Sequence, residues 1–139
     1  RDQIRAVAVG ECDIALANTY YLARLASSDK EKDRAAANAV AIVWPDQSGA
    51  GTHVNVSGAA VTASAKNRDN AIKLIEFLAS DEAQEIYAQS VYEYPIRDNL
   101  SPAPLVASWG GFKADDLDLS LLGEYNAEAV RIADRVGWQ

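Results

Sequence analysis

Ile14-Ala15-Leu16-Ala17 is an uninterrupted apolar segment of strand length that runs directly into a helix start, with Asn18 and Thr19 as candidate N-caps and Tyr20 to Ala26 compatible with one or two helical turns. A buried strand feeding a turn and a helix N-terminus restricts the fold strongly. It is the repeating joint of an open α/β sheet, in which ligands sit beyond the carboxyl ends of the strands. Tyr20 and Tyr21 stand at that joint. Neighbouring helical residues point about 100° apart, so the two cannot share one buried stripe. At the first turn, side chains lean toward the N-terminus and two long ones can converge just ahead of it, where free N–H groups and the helix dipole favour negative charge. A phenol, with a reference pKa of about 10, is helped there to act as a phenolate. A hard trivalent cation would complete the ionisation, because hard oxygen donors suit hard ions. The competing reading is an amphipathic aromatic pair at a helix start, half-buried with polar tips.

The rest of the chain repeats the alternation of strand and helix. Ile4, Val7 and Ala8 lie on one face of a first helix stopped by Gly10, and Ser27 to Arg34 is a mixed-sign cluster read as a solvated loop or helix face. Ala39 to Trp44 reads as a buried strand halted by Pro45, and Pro45 to Gly51 as a loop suited to crossing between lobes. His53 to Ser57 alternates as a half-buried strand should, and Gly58 suggests a bulge or a close backbone approach before Ala59 to Ala63 continues it. Asn67 to Asn70 offers caps for a helix with Ala71, Ile72, Leu74, Ile75 and Leu78 at helical period. Ser80-Asp81 recaps a second, with Ala83, Ile86 and Tyr87 on one face and Asp81, Glu82 and Glu85 toward solvent. Tyr92 to Pro104 is extended and proline-marked, with Tyr92 and Tyr94 as half-buried aromatics sharing a face. Trp109 to Phe112 is an aromatic-anchored turn. A closing helix from about Asp118 to Val136 carries an apolar stripe through Leu122, Tyr125, Ala129, Ile132, Ala133 and Val136, with Gly137 as its stop and Trp138 docking its end.

Composition excludes several classes. Thirteen Lys and Arg against twenty Asp and Glu give a net charge of −7, with no basic block to track a phosphate backbone, so nucleic acid is not an expected partner. No apolar stretch approaches the ~18 residues needed to span a bilayer. The lone Cys12 offers no zinc spacing and no internal disulfide; its plain reading is a buried thiol. His53 and Ser57 cannot act as a nucleophile pair along one strand, where four residues separate them by about 13 Å. As the single histidine, His53 is read as a structural or rim residue rather than a metal ligand. Gly-x-Ser-x-Gly, His-Glu-x-x-His and phosphate-loop motifs are all missing, which disfavours an enzyme.

Three pieces in order carry a resemblance. Gly10-Glu11-Cys12-Asp13-Ile14-Ala15-Leu16-Ala17-Asn18-Thr19-Tyr20-Tyr21-Leu22, then Gly51-Thr52-His53-Val54-Asn55-Val56-Ser57-Gly58, then Phe77-Leu78-Ala79-Ser80-Asp81-Glu82-Ala83-Gln84 resemble the C-terminal half of periplasmic ferric-iron-binding proteins, the solute receptors of bacterial iron ABC importers. The Asn-x-Tyr-Tyr piece is specific; the Phe-Leu-x-Ser-x-Glu-Ala-Gln piece is shared by receptors for many ligands. The resemblance implies an α/β, type II periplasmic binding protein-like fold with mixed sheets flanked by helices, and a chain that is a fragment of a two-lobed protein. On it, residues 1–48 and 101–139 belong to the lobe with the tyrosine pair and 49–100 to the other lobe. It implies Tyr20 and Tyr21 as phenolate ligands to Fe³⁺ and Asn18 as a contact to a synergistic anion such as carbonate or phosphate. The implied partners are an ABC permease and a missing N-terminal part of the same protein, and the implied location is the periplasm or the outer surface of a bacterium. Rival readings are a same-fold receptor for a polyamine, a sugar phosphate or thiamine, a receptor for chelated ferric iron, an enzyme, and a purely structural domain.

Overall fold

The computed structural model describes residues 1–138. In chain order its helices are α1 (Asp2–Ala8), α2 (Thr19–Ala26), α3 (Glu31–Asn38), α4 (Arg68–Leu78), α5 (Asp81–Val91), α6 (Pro104–Ala107) and α7 (Ser120–Val136). The chain forms two compact units, Arg1–Val43 with Asn55–Gly111, and Trp44–Val54 with Phe112–Gln139. These units divide the chain differently from the lobes that the resemblance implies, which concern the packing of a whole receptor.

The first unit is built around α2. Leu22 and Leu25 turn one face of that helix onto Ile4 of α1 and Ala37 of α3, and Tyr21, Val40, Ile42 and Trp109 close over this cluster. Ala23, fully buried, points the other way onto Ala103 and Val106, where Tyr92, Tyr94 and Leu105 pack. Trp109 touches both clusters and ties them together.

The charged stretch Ser27 to Arg34, which runs into α3, is not wholly solvated, because Asp33 is only 7% exposed. Arg5 donates to Asp33 Oδ1 from Nε at 3.2 Å and from Nη2 at 2.9 Å, and Ser28 Oγ donates to Oδ2 at 3.1 Å. Burying a carboxylate is costly unless it is paired and hydrogen-bonded, and this one is both. It latches α1 to α3, and its pKa lies below the usual carboxylate range chiefly through the Arg5 hydrogen bond.

The helices follow their sequence signals. Ser80 caps α5 by accepting from the Ala83 N–H at 3.3 Å. The apolar face of α5 differs from the expected one: Ala83, Gln84 and Ala88 are buried, whereas Ile86 is exposed. Gln84 explains why its motif is structural. Its Nε2 donates to Leu78 O at 2.7 Å while its Oε1 accepts from Ile96 N–H at 3.0 Å, so one side chain ties the end of α4 to the segment 92–103 that joins α5 to α6. Asp81 accepts from Arg97 and Asn99, both at 2.8 Å, and fixes the same segment from outside.

The expected strands are where structure and sequence part. Ile14 and Leu16 are 87% and 76% exposed, and neither Ile14–Ala17 nor Ala39–Trp44 nor 53–63 is a strand. Among the described residues the β-structure is one parallel bridge, Thr52 to Ala114. An extended segment becomes a strand only when a neighbour takes its hydrogen bonds, and these segments have no such neighbour within the described residues. Residues 40–44 still show period two. Val40, Ile42 and Trp44 are half-buried, and Ala41 and Val43 are exposed. Cys12, expected buried, lies on the same open stretch and is exposed.

In the second unit, Trp44 stacks on Phe112 with centroids 4.3 Å apart and planes 19° from parallel. The bridge is made by Thr52 N–H donating to Lys113 O at 2.8 Å and Asp115 N–H donating to Thr52 O at 2.9 Å. Gln47 locks it: Oε1 accepts from Lys113 N–H at 2.7 Å, and Nε2 donates to Lys113 O at 3.1 Å and Thr52 Oγ1 at 2.9 Å. The close backbone approach falls at Gly51, not Gly58. Gly51 has φ +115°, and a Cβ there would meet Ala114 backbone at 2.7 Å, whereas a Cβ on Gly58 would meet nothing within 4 Å. Helix α7 ends on a left-handed Gly137 as expected, but Leu122, Tyr125, Ile132, Val136 and Trp138 are exposed, so Trp138 does not dock the helix end.

Candidate metal centre

Helix α2 starts at Thr19, with Asn18 at its N-cap in extended conformation, so Tyr20 and Tyr21 fall in the first turn. Both are half-buried. Their rings sit with centroids 4.4 Å apart and planes tilted by 52°. Tyr21 lies against the first core cluster, but its hydroxyl is not lost in it. The Tyr21 pKa is raised above the ordinary phenol value, first by hydrogen bonding with Tyr20, next by charge on Tyr20, then by desolvation; Arg1 and Arg24 oppose the shift. The two rings therefore lie side by side at the first helical turn. Asn18 Nδ2 donates to Tyr20 Oη at 3.1 Å, and the Arg24 guanidinium carbon lies 5.7 Å from the centre of the Tyr20 ring.

Two adjacent phenol oxygens can offer two anionic donors to one hard cation. Binding such a cation through both would displace the two phenol protons. Among the described residues no group of three or more His, Cys, Asp or Glu could hold a metal, so the tyrosine pair is the strongest donor set among them. The polar residues that the sequence sets aside stay apart from the pair. His53 is exposed, and Ser57 Oγ donates to Glu93 Oε1 at 3.3 Å. Asp81 is engaged by Arg97 and Asn99. Arg24 was missed, although its spacing of four from Tyr20 on one helix was a usable signal.

An α2-centred unit with two phenols paired at a helix start, on a chain of short helices joined by extended segments, fits the helical side of a type II periplasmic binding fold. The chain belongs to the bacterial extracellular solute-binding protein family, whose model matches residues 2–114. It is 47% identical over 137 residues to iron uptake protein A1 of Synechocystis, covering 99% of this chain and 38% of that protein. It is 34% identical over 135 residues to the major ferric iron-binding protein of Neisseria meningitidis serogroup B, covering 96% of this chain and 39% of that protein. The solved Trichodesmium protein IdiA (FutA), in complex with iron and citrate, matches with a TM-score of 0.93 at 46% identity over 99% of this chain and 44% of that one. The ferric binding protein from Campylobacter jejuni matches at 0.94 and 43%, over 99% of this chain and 44% of that one. The α/β, type II fold class thus stands, and the extended segments correspond to parts of a larger fold. The chain spans about 40% of the length of the curated relatives, for example 38% of one and 40% of another.

Proposed function

We propose that this chain supplies one side of a ferric-iron receptor, in which Tyr20 and Tyr21 bind Fe³⁺ as phenolates in an interlobe cleft and the receptor delivers the ion to an ABC permease from the periplasm. Residues 1–48 and 101–139 would form part of the lobe that carries the pair, and 49–100 part of the other. The observation that carries the reading is the side-by-side placement of the two phenol rings at the start of α2, on a chain with iron-binding relatives. Remaining coordination positions would be filled by sequence outside these residues or by an anion such as carbonate or phosphate. Because one solved relative holds iron with citrate, capture of the ion with a carboxylate carrier is the second reading.

The test is colour. Ferric iron added to the intact protein should produce a visible tyrosinate-to-iron charge-transfer band, which Tyr20→Phe and Tyr21→Phe each remove; a band unchanged in both variants would refute the assignment. Binding displaces phenol protons, so affinity should also fall on acidification between pH 5 and 8, and a flat profile would count against phenolate ligation. The 139 residues alone should bind iron poorly.

A further inference from the structure

Asn18 occupies the N-cap of α2 with φ −71° and ψ 144°, the conformation in which an asparagine side chain ordinarily accepts from the second or third N–H of its helix. It makes no such bond. Its Nδ2 turns instead to Tyr20 and donates to the phenol oxygen at 3.1 Å. A strong capping residue has thus given up its cap for a contact to a candidate ligand.

The direction of that bond has a chemical meaning. A phenolate oxygen only accepts, so of the two edges of an asparagine amide only the N–H edge suits an ionised Tyr20. The ring is fixed as well. Arg24, one turn further along α2, holds its guanidinium carbon 5.7 Å from the ring centre, and the Tyr21 ring lies 4.4 Å away on another side. Tyr20 is therefore restrained at its oxygen, over its face and along its flank by its own segment.

We propose that Asn18 is a positioning residue for Tyr20, its amide holding the phenolate oxygen in one direction for Fe³⁺, instead of a residue whose task is to hold a synergistic anion. The proposal rests on the iron reading above. A donor that touches the ligand oxygen but not the metal orients that ligand and tunes its basicity. Removing one raises the energy of the electrons that the phenolate shares with iron.

The test uses the intact protein loaded with Fe³⁺ in buffer free of phosphate and depleted of carbonate. Asn18→Leu keeps the bulk and removes the donor; Asn18→Ser can still cap α2 but is too short to reach the phenol. Both should move the charge-transfer band to longer wavelength and weaken Fe³⁺ binding, measured by competition with citrate, by about tenfold. An unmoved band and unchanged affinity in both variants would overturn the proposal. So would variants that lose only the response to added carbonate or phosphate, since Asn18 would then serve the anion. Tyr20→Phe separates the two levels. If it and Tyr21→Phe both leave the band intact the iron reading itself fails, and if it weakens or abolishes the band while both Asn18 variants leave it unmoved, only the positioning role falls.

Discussion

The molecule carries two close pairs of tyrosines, and they are chemically opposite. Tyr20 and Tyr21 open a helix; Tyr92 and Tyr94 follow one, with Tyr92 in the left-handed conformation that ends α5. Both Tyr21 and Tyr94 hold their protons more firmly than an ordinary phenol, for different reasons. For Tyr21 the leading cause is the neighbouring Tyr20 oxygen, which a cation can replace; for Tyr94 it is burial against the second cluster, which a cation cannot relieve without entering the core. The same side chain becomes a ligand candidate or a packing unit according to what its oxygen faces.

The largest expected effect sets the pairs directly against each other. Tyr20→Phe and Tyr21→Phe in the intact protein should each weaken Fe³⁺ binding by about a thousandfold, beyond the ~10–100-fold typical of removing a hydrogen-bond partner of a metal ligand. Tyr92→Phe and Tyr94→Phe should leave the ferric colour in place. Competition titrations with citrate and visible spectra read both, and loss of colour in the second pair would break the comparison. Next comes the floor beneath the first pair. Leu25→Ala removes one of the largest fully buried side chains and should cost about 3 kcal/mol in urea unfolding. The brace beneath the second pair is smaller. Gln84→Leu should cost about 1–2 kcal/mol, because Ile96 N–H and Leu78 O lose the partners that Gln84 gives them. Protection of the Ile96 amide from hydrogen exchange should fall with it.

The smallest effect is confined to acid. Asp33 titrates below its unfolded value of about 3.9, so the folded state favours its charged form and the stabilisation is fully present above that value. It is lost as pH falls from about 4 through the lowered folded pKa. Asn at this position should flatten that part of the acid-unfolding curve, and an unaltered curve would remove Asp33 from the latch.

Helix-level structure was legible because its signals are local. Ser80 before Asp81-Glu82 and Gly137 after Val136 each act within one turn of themselves. The expected strands 14–17 and 39–44 were read from apolar runs, which report a demand for burial but not the partner that meets it. Within the described residues that demand is unmet, with Ile14, Leu16 and Val43 exposed. The tyrosine pair was visible because adjacent aromatics at a helix start cannot both be core. Asn18 was placed at the cap, yet its choice of the Tyr20 oxygen over the helix N–H groups could not be read from residue types. Asp33 was hidden differently: it stands in a run of alternating charge, and its partner Arg5 is 28 positions away with no periodicity joining them.

The Gln47 lock on Lys113 has a kinetic consequence. Its two ends are 66 residues apart in the chain, so closing it orders a long loop in return for a handful of hydrogen bonds. Contacts of that span form slowly compared with the neighbouring turns of a helix. The Trp44–Phe112 stack sits beside the same closure and should therefore report late in refolding, as a fluorescence change that lags the helical circular dichroism signal.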